Sequence, residues 1–254
     1  MRTLLALVCA AVIGCGDDGG GNHSTIDANN SHGPDAKEFR DAPPTNNATV
    51  MISGQVSERS QSGAVLVPGV TINAYRNADE NTPIATTTSD AQGNYTLIVQ
   101  TMGESIDGFL KATKQGYLET YLYPPYPIAM DFNMASVIMV TQSTYDALSN
   151  ITNSDQAAGK GLIGLVVTDG TNPVAGATVS CDPPAGTPPR YNAMVGTLAL
   201  PTETAQATFS DGIAYLFNVE PGHVMVSATK TGTTFASHGL KAWPDQLTTT
   251  VIVP

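Results

Sequence analysis

The chain is poor in positive charge, histidine, cysteine and tryptophan, and each shortage removes a class of function. Eleven Lys and Arg side chains stand against 22 Asp and Glu, for a formal net charge of −11. Such an acidic surface repels phosphate backbones and anionic headgroups, so nucleic acid is not an expected partner. With four histidines and three cysteines in 254 residues, little is left for metal or nucleophilic chemistry. None of H-E-x-x-H, H-x-x-E, G-x-S-x-G or a P-loop occurs. The expectation is a non-enzyme without cofactor or metal. Charged residues are only 13% of the chain, and no long amphipathic helical pattern appears, whereas Gly (24) and Pro (17) are plentiful. That balance favours an all-β class over α/β.

What is present is a repeat. Residues 86–99, TTTSDAQGNYTLIV, read as strand, Asp-centred turn and strand, and residues 208–219, TFSDGIAYLFNV, echo them. The same landmarks flank both turns in the same order. PGVTINA (68–74) and PVAGATVSC (173–181) precede them, and KATKQG (111–116) and SATKTG (227–232) follow. One β module has been duplicated, which divides the length into two small domains.

Residues 1–14 read as a targeting segment. Arg2 supplies the positive end, and residues 4–13 form an apolar run too short to span a bilayer. The run closes in Val12-Ile13-Gly14-Cys15, which resembles the bacterial lipobox. That resemblance implies cleavage after Gly14 and acylation of Cys15, with several acyl chains giving stable anchoring. The alternative is an ordinary cleaved signal with an incidental cysteine. Gly16 follows, with no Asp of the kind that retains some lipoproteins in the inner membrane, so the outer membrane is the default location. With Cys9 cleaved off and Cys15 lipidated, Cys181 has no intramolecular disulfide partner. Residues 15–49, rich in Gly, Asn, Asp and Pro, read as a lipidated flexible tether. His23, Asp27, His32 and Asp35 fall there, but ligands without a folded frame do not preorganise a metal site.

The first module spans residues 50–141. Ile52 and Val56 share a face, as do Val70, Ile72 and Ala74 (opposite Thr71, Asn73 and Tyr75), and then Tyr95, Leu97 and Val99. Gly54-x-Val56, Pro68-Gly-Val-Thr-Ile72, the Asp90-x-x-Gly93-x-Tyr95 turn and Ala112-Thr-Lys-x-Gly-Tyr117 resemble the carboxypeptidase regulatory-like domain. The resemblance implies a transthyretin-like Greek-key sandwich of about seven strands, non-catalytic in its hosts. Within it, Asp90 is expected to cap the turn backbone, Gly93 to take φ > 0 and Tyr95 to enter the core.

A short helix is expected over residues 141–150, with Thr141 or Ser143 as N-cap, inside a connector of residues 142–160. The letters G-x-G-x-x-G at residues 159–164 open a strand instead of following one, which excludes a dinucleotide loop. The second sandwich covers residues 161–254. Setting Gly176 against Gly69 places Ala177, Val179 and Cys181 inward, whereas setting Asp211 against Asp90 puts Ala214 at the Gly93 position and Leu216 at the Tyr95 position. The fold expected is therefore two tandem Greek-key β-sandwiches after a lipoprotein signal and a tether.

Candidate ligand residues are aromatic. Tyr117, Tyr121 and Tyr123 share one parity beside Pro124-Pro125 and Tyr126, an arrangement able to stack on sugar rings. The plainer reading places some of them in the core. Trp243, before Pro244, is either a ligand platform or a packing anchor. The partners implied are the membrane through the lipid anchor, an envelope or extracellular glycan, or a surface protein. Two functions follow from this reading: a carbohydrate-binding surface module, or a structural spacer or protein-partner scaffold of the envelope.

Overall fold

The computed structural model describes residues 48–60, 63–133 and 135–254. The signal, the Cys15 lipidation position, and the tether up to residue 47 lie outside them. The first half runs β1 (Thr49–Ser60), β2 (Gly63–Leu66), β3 (Thr71–Arg76), β4 (Ala85–Thr88), β5 (Asn94–Gln100), β6 (Gly108–Thr113), β7 (Thr120–Tyr123) and β8 (Val137–Ile138). These strands form because apolar residues recur at every second position: Tyr95, Leu97 and Val99 of β5 are buried while Asn94, Thr96, Ile98 and Gln100 between them are exposed. The expected inward rows meet in one core, with Ile52, Val56, Val70, Ile72, Ala74, Leu110 and Ala112.

The second half opens with α1 (Gln142–Ile151), capped by Thr141, whose side chain accepts from the Thr144 N–H. It continues with β9 (Gly161–Val167), β10 (Thr178–Asp182), β11 (Arg190–Val195), β12 (Leu198–Thr202), β13 (Ile213–Val219), β14 (Gly222–Thr229), β15 (His238–Ala242) and β16 (Leu247–Ile252). The class is all-β. The repeat holds at the level of strand pairing. β1 pairs β5 antiparallel and β8 parallel, as β9 pairs β13 antiparallel and β16 parallel. β3 pairs β6 and β6 pairs β7, as β10 pairs β14 and β14 pairs β15, all antiparallel. The halves differ at β4, which joins β3; the corresponding stretch of the second half is the β11–β12 hairpin, which joins β13 instead.

The backbone aligns the two turns differently from their aspartates. Val56 N–H bonds the Gly93 carbonyl and Val67 N–H the Val56 carbonyl; Val167 N–H bonds the Gly212 carbonyl and Val174 N–H the Val167 carbonyl. Gly212, at φ 68, is thus the counterpart of Gly93, at φ 72, and Ala214 takes the place of Tyr95. Asp90 does cap its turn, with Oδ1 accepting from the N–H groups of Gln92 (2.9 Å) and Asn94 (2.8 Å). Asp211 lies one residue before Gly212, and its Oδ1 accepts the Ile213 N–H, at 3.1 Å.

What the turns share is a buried hydroxyl. Ser89 Oγ donates to the Val67 carbonyl and accepts the Val70 N–H; Thr208 Oγ1 donates to the Val174 carbonyl and accepts the Ala177 N–H. Each hydroxyl ties the strand before the turn to the loop that enters β3 or β10. Removing either leaves a buried donor and a buried acceptor unpaired, so Ser89→Ala and Thr208→Val are each expected to cost about 1–3 kcal/mol in denaturant melts.

Candidate functional site: the seam between the halves

β16 lies between β9 and β7 and is parallel to both. It therefore joins β12-β11-β13-β9 of the second half to β7-β6-β3-β4 of the first in one nine-stranded sheet. Register places Tyr121, Thr248 and Ile163 side by side, then Leu122, Thr249 and Gly164, then Tyr123, Thr250 and Leu165. β9 is buried along its whole length, as a strand covered on both faces must be. Hydroxyls reinforce the join: Thr250 Oγ1 donates to the Tyr123 carbonyl at 2.9 Å, and Thr249 Oγ1 to the Tyr121 carbonyl at 3.3 Å. At the start of the seam the Glu119 N–H donates to Gln246 Oε1 at 2.6 Å.

An aromatic cluster packs on one face of this join. Phe109 stacks on Tyr75 at 5.3 Å and on Tyr123 at 5.1 Å between ring centroids, and tilts against Tyr121 and Trp243 at 5.9 Å each. Tyr121 and Trp243 stack at 4.3 Å with planes 9° apart. These rings belong to the same core as Ile163, Leu165, Val224, Val226 and Leu240 of the second half. Charges line the rim. Lys241 Nζ lies 3.9 Å from the Trp243 ring centroid and pairs with Glu80 across the seam. Lys111 pairs with Glu119 at 2.8 Å, and Glu119 accepts the Tyr121 hydroxyl at 2.7 Å. Burial, then that bond to Glu119, pushes the Tyr121 phenol well above its ordinary pKa.

The exposed tyrosine row expected from the sequence does not form. Tyr121 and Tyr123 are buried, Tyr117 is half-buried with its hydroxyl donating to Glu58 at 2.8 Å, and Tyr126 alone of the four is exposed. The reason is parity: the face taken for solvent is the one that meets the second half. Trp243 is half-buried in the same packing. Sequence reading missed Tyr75 and Phe109 as members. Their signal was a large aromatic at an outward position on each of two adjacent strands. Cys181 is half-buried against this core, and burial raises its thiol pKa. Among the described residues no group of three or more His, Cys, Asp or Glu comes together for a metal.

The seam ends in a cleft of about 330 Å3 lined by Asn77, Tyr123, His223, Met225 and Lys241 among others. The Trp243 indole N–H has no partner in hydrogen-bonding geometry among the described residues, and neither has His238 Nε2. Burial lowers the His238 pKa, with nearby Asp107 opposing. An imidazole whose folded pKa lies below its unfolded value of about 6.5 favours the native state above that pH and weakens it as pH falls. Chemical melts from pH 7.5 to 5 should therefore lose stability below about pH 6.5, and His238→Gln should flatten that part of the profile.

No protein-family model matches the chain, and no curated protein matches it. Among solved structures, the shaft pilin SpaA of Lactobacillus rhamnosus GG matches at 11% identity and TM-score 0.26, over 81% of this chain and 98% of that one. The minor pilin GBS52 of Streptococcus agalactiae matches at 12% and 0.25, over 80% and 94%. The major pilin subunit BcpA of Bacillus cereus, as its D312A variant, matches at 8% and 0.24, over 81% and 99%. Scores of this size do not establish a common chain path, so function is read from this chain's own residues.

Proposed function

We propose that the chain is a non-catalytic structural spacer or protein-partner scaffold of the bacterial cell envelope. In this reading two carboxypeptidase regulatory-like sandwiches are carried on a lipid anchor at Cys15, by default in the outer membrane. The observation that supports it is the seam. A parallel strand shared by both halves, with five aromatic rings packed beside it, resists bending between modules where a plain linker would not. The anchor is read from Val12-Ile13-Gly14-Cys15, which resembles the lipobox; among the described residues no helix is long and apolar enough to cross a membrane. Cys15→Ser is the test: the unaltered protein should partition into detergent and the variant into the aqueous phase, while Cys9→Ser changes nothing. An intact mass showing an unlipidated mature N-terminus overturns the anchored reading.

A glycan-binding reading is favoured by one feature, the cleft at the end of the seam. Its volume falls within the range of small-ligand sites, and it combines an aromatic edge with an amide, an imidazole and an ammonium. Glycan-array signal lost in His223→Ala and Asn77→Ala, with the melt unchanged, would select this reading. No signal from the unaltered protein leaves the spacer.

A further inference from the structure

Because the halves share their strand pairings, each strand edge in one has a counterpart in the other. In the second half the run β16-β9-β13 continues into β11, which meets β13 through Arg190 opposite Tyr215 and Tyr191 opposite Ala214. In the first half the matching sheet ends at β5, because the stretch between β3 and β5 forms β4 and joins β3 instead. The Val56 N–H bonds the Gly93 carbonyl and the Thr101 N–H the Ala48 carbonyl, which sets the odd-numbered residues of β5 against β1. The N–H and C=O groups of Thr96, Ile98 and Gln100 therefore point away from β1, and no described strand pairs with them. Thr96 stands three residues after Gly93, as Tyr215 stands three after Gly212, so its counterpart is the residue that meets β11.

The β5 edge is also unguarded. Native sheets blunt a free edge by shortness, charge or proline. The edges at β2, β4, β10, β12 and β15 are four or five residues long; β10 ends in Asp182, β12 holds Pro201 and β15 holds Lys241. β5 runs for seven residues, NYTLIVQ, with no charge, proline or glycine. Residues 49–56 of β1, beside it, are uncharged as well. We propose that this edge pairs with the same edge of a second copy of the chain, antiparallel about a two-fold axis at Ile98. Ile98 then lies opposite Ile98 of the partner subunit, and Thr96 opposite Gln100 of the partner subunit.

Charge points to a second copy as the occupant. A chain of net charge −11 repels its own copy except where its surface is neutral, and this edge is neutral. Asp90 and Glu104 fall beyond both ends of the paired residues 96–100, and Asp131 binds the Met51 N–H on the side of β1 away from β5. The apolar pattern fixes the register. Met51 and Ile98 are cross-strand partners, 39% and 65% exposed. A two-fold at Ile98 joins these two and their copies in one apolar row across four strands. The edge is self-complementary, as a two-fold contact must be, since Thr96 and Gln100 flank Ile98 evenly and each offers one N–H and one C=O. The proposal goes beyond the spacer reading and does not depend on the acylation of Cys15.

Sedimentation velocity and cross-linking on the full chain test it. The unaltered protein should show a dimer fraction that rises with concentration, and Ile98→Lys, which sets two like charges on the axis, should abolish it with the circular dichroism spectrum unchanged. A hydrogen-bonded antiparallel pair holds its Cα atoms about 5.5 Å apart, within disulfide reach. In a Cys181→Ala background, Ile98→Cys should therefore link two copies under copper–phenanthroline oxidation, whereas Thr96→Cys and the background alone should not. A monomer at every concentration up to millimolar overturns the proposal, as does a dimer that Ile98→Lys leaves intact. Linkage through Thr96→Cys but not Ile98→Cys overturns the axis at Ile98. A monomer whose Thr96 and Ile98 amides are still protected from hydrogen exchange assigns the edge to the protein's own chain and also overturns the proposal.

Discussion

Phe109→Ala is expected to lower the melting temperature of the whole chain by about 10 °C, through a loss of about 3–5 kcal/mol. The ring is buried and touches four other rings, two of which, Tyr121 and Trp243, are themselves stacked across the halves. Truncation opens a cavity that rigid neighbours on adjacent strands fill poorly, so the cavity term adds to the lost apolar burial. Because the ring packs with residues of both halves, the whole unfolding transition should shift, not one part of it. Tyr126→Ala, at an exposed ring outside the cluster, should stay within about 0.5 kcal/mol. A calorimetric scan of the two variants beside the unaltered protein reads both effects. A small shift in Phe109→Ala equal to that of Tyr126→Ala would remove the seam as a source of stability.

The second large effect is expected at the paired turn glycines. A Cβ on Gly93 would lie 2.6 Å from the Val56 carbonyl oxygen, and on Gly212 2.5 Å from that of Val167. Both residues are at positive φ, where a β-branched side chain is strained by about 1–3 kcal/mol. The contacted carbonyls are those that accept the Val67 and Val174 N–H groups, so relief of the clash breaks backbone bonds worth about 1 kcal/mol each. Gly93→Val and Gly212→Val should therefore each cost about 2–4 kcal/mol. Gly69 and Gly176 separate the two causes. They are also at positive φ, but a Cβ there meets nothing within 4 Å, so their valine variants carry the conformational cost alone. If Gly93→Val costs no more than Gly69→Val, the close approach of the backbone is not what fixes glycine at the turn.

The inward rows, the helix and its Thr141 cap were legible because they are set by local rules: alternation of period two, and a hydroxyl one residue ahead of the helix. The duplication was legible for the same reason. Two features were not. Asp211 was aligned with Asp90 by letter, whereas the backbone aligns Ser89 with Thr208, whose hydroxyls do the same bonding in both turns. A buried hydroxyl clamp looks like an ordinary Ser or Thr in a polar stretch until its partners are known. The tyrosine face was assigned to solvent because what packs against it, Val224 and Val226 of β14 and Leu240 of β15, lies far along the chain in the second half. Pattern reading sees which residues share a face but not which distant strand meets it. The letters did contain a trace, since Tyr75, Phe109, Tyr121 and Tyr123 are all of outward parity on neighbouring strands, which is too much aromatic area to leave wet.

The division into sandwiches at residues 50–141 and 161–254 follows the repeat, but one sheet and one core run across it. The central claim is that β7 and β16 form a single stable join. Native-state hydrogen exchange, read residue by residue, tests it most directly. The β7 and β16 amides should exchange only through the same global opening that exposes those of β6 and β9, with equal opening free energies and equal denaturant dependence. Fast exchange of β7 and β16 while β6 and β9 remain protected would show the halves parting in the native state and would contradict the claim.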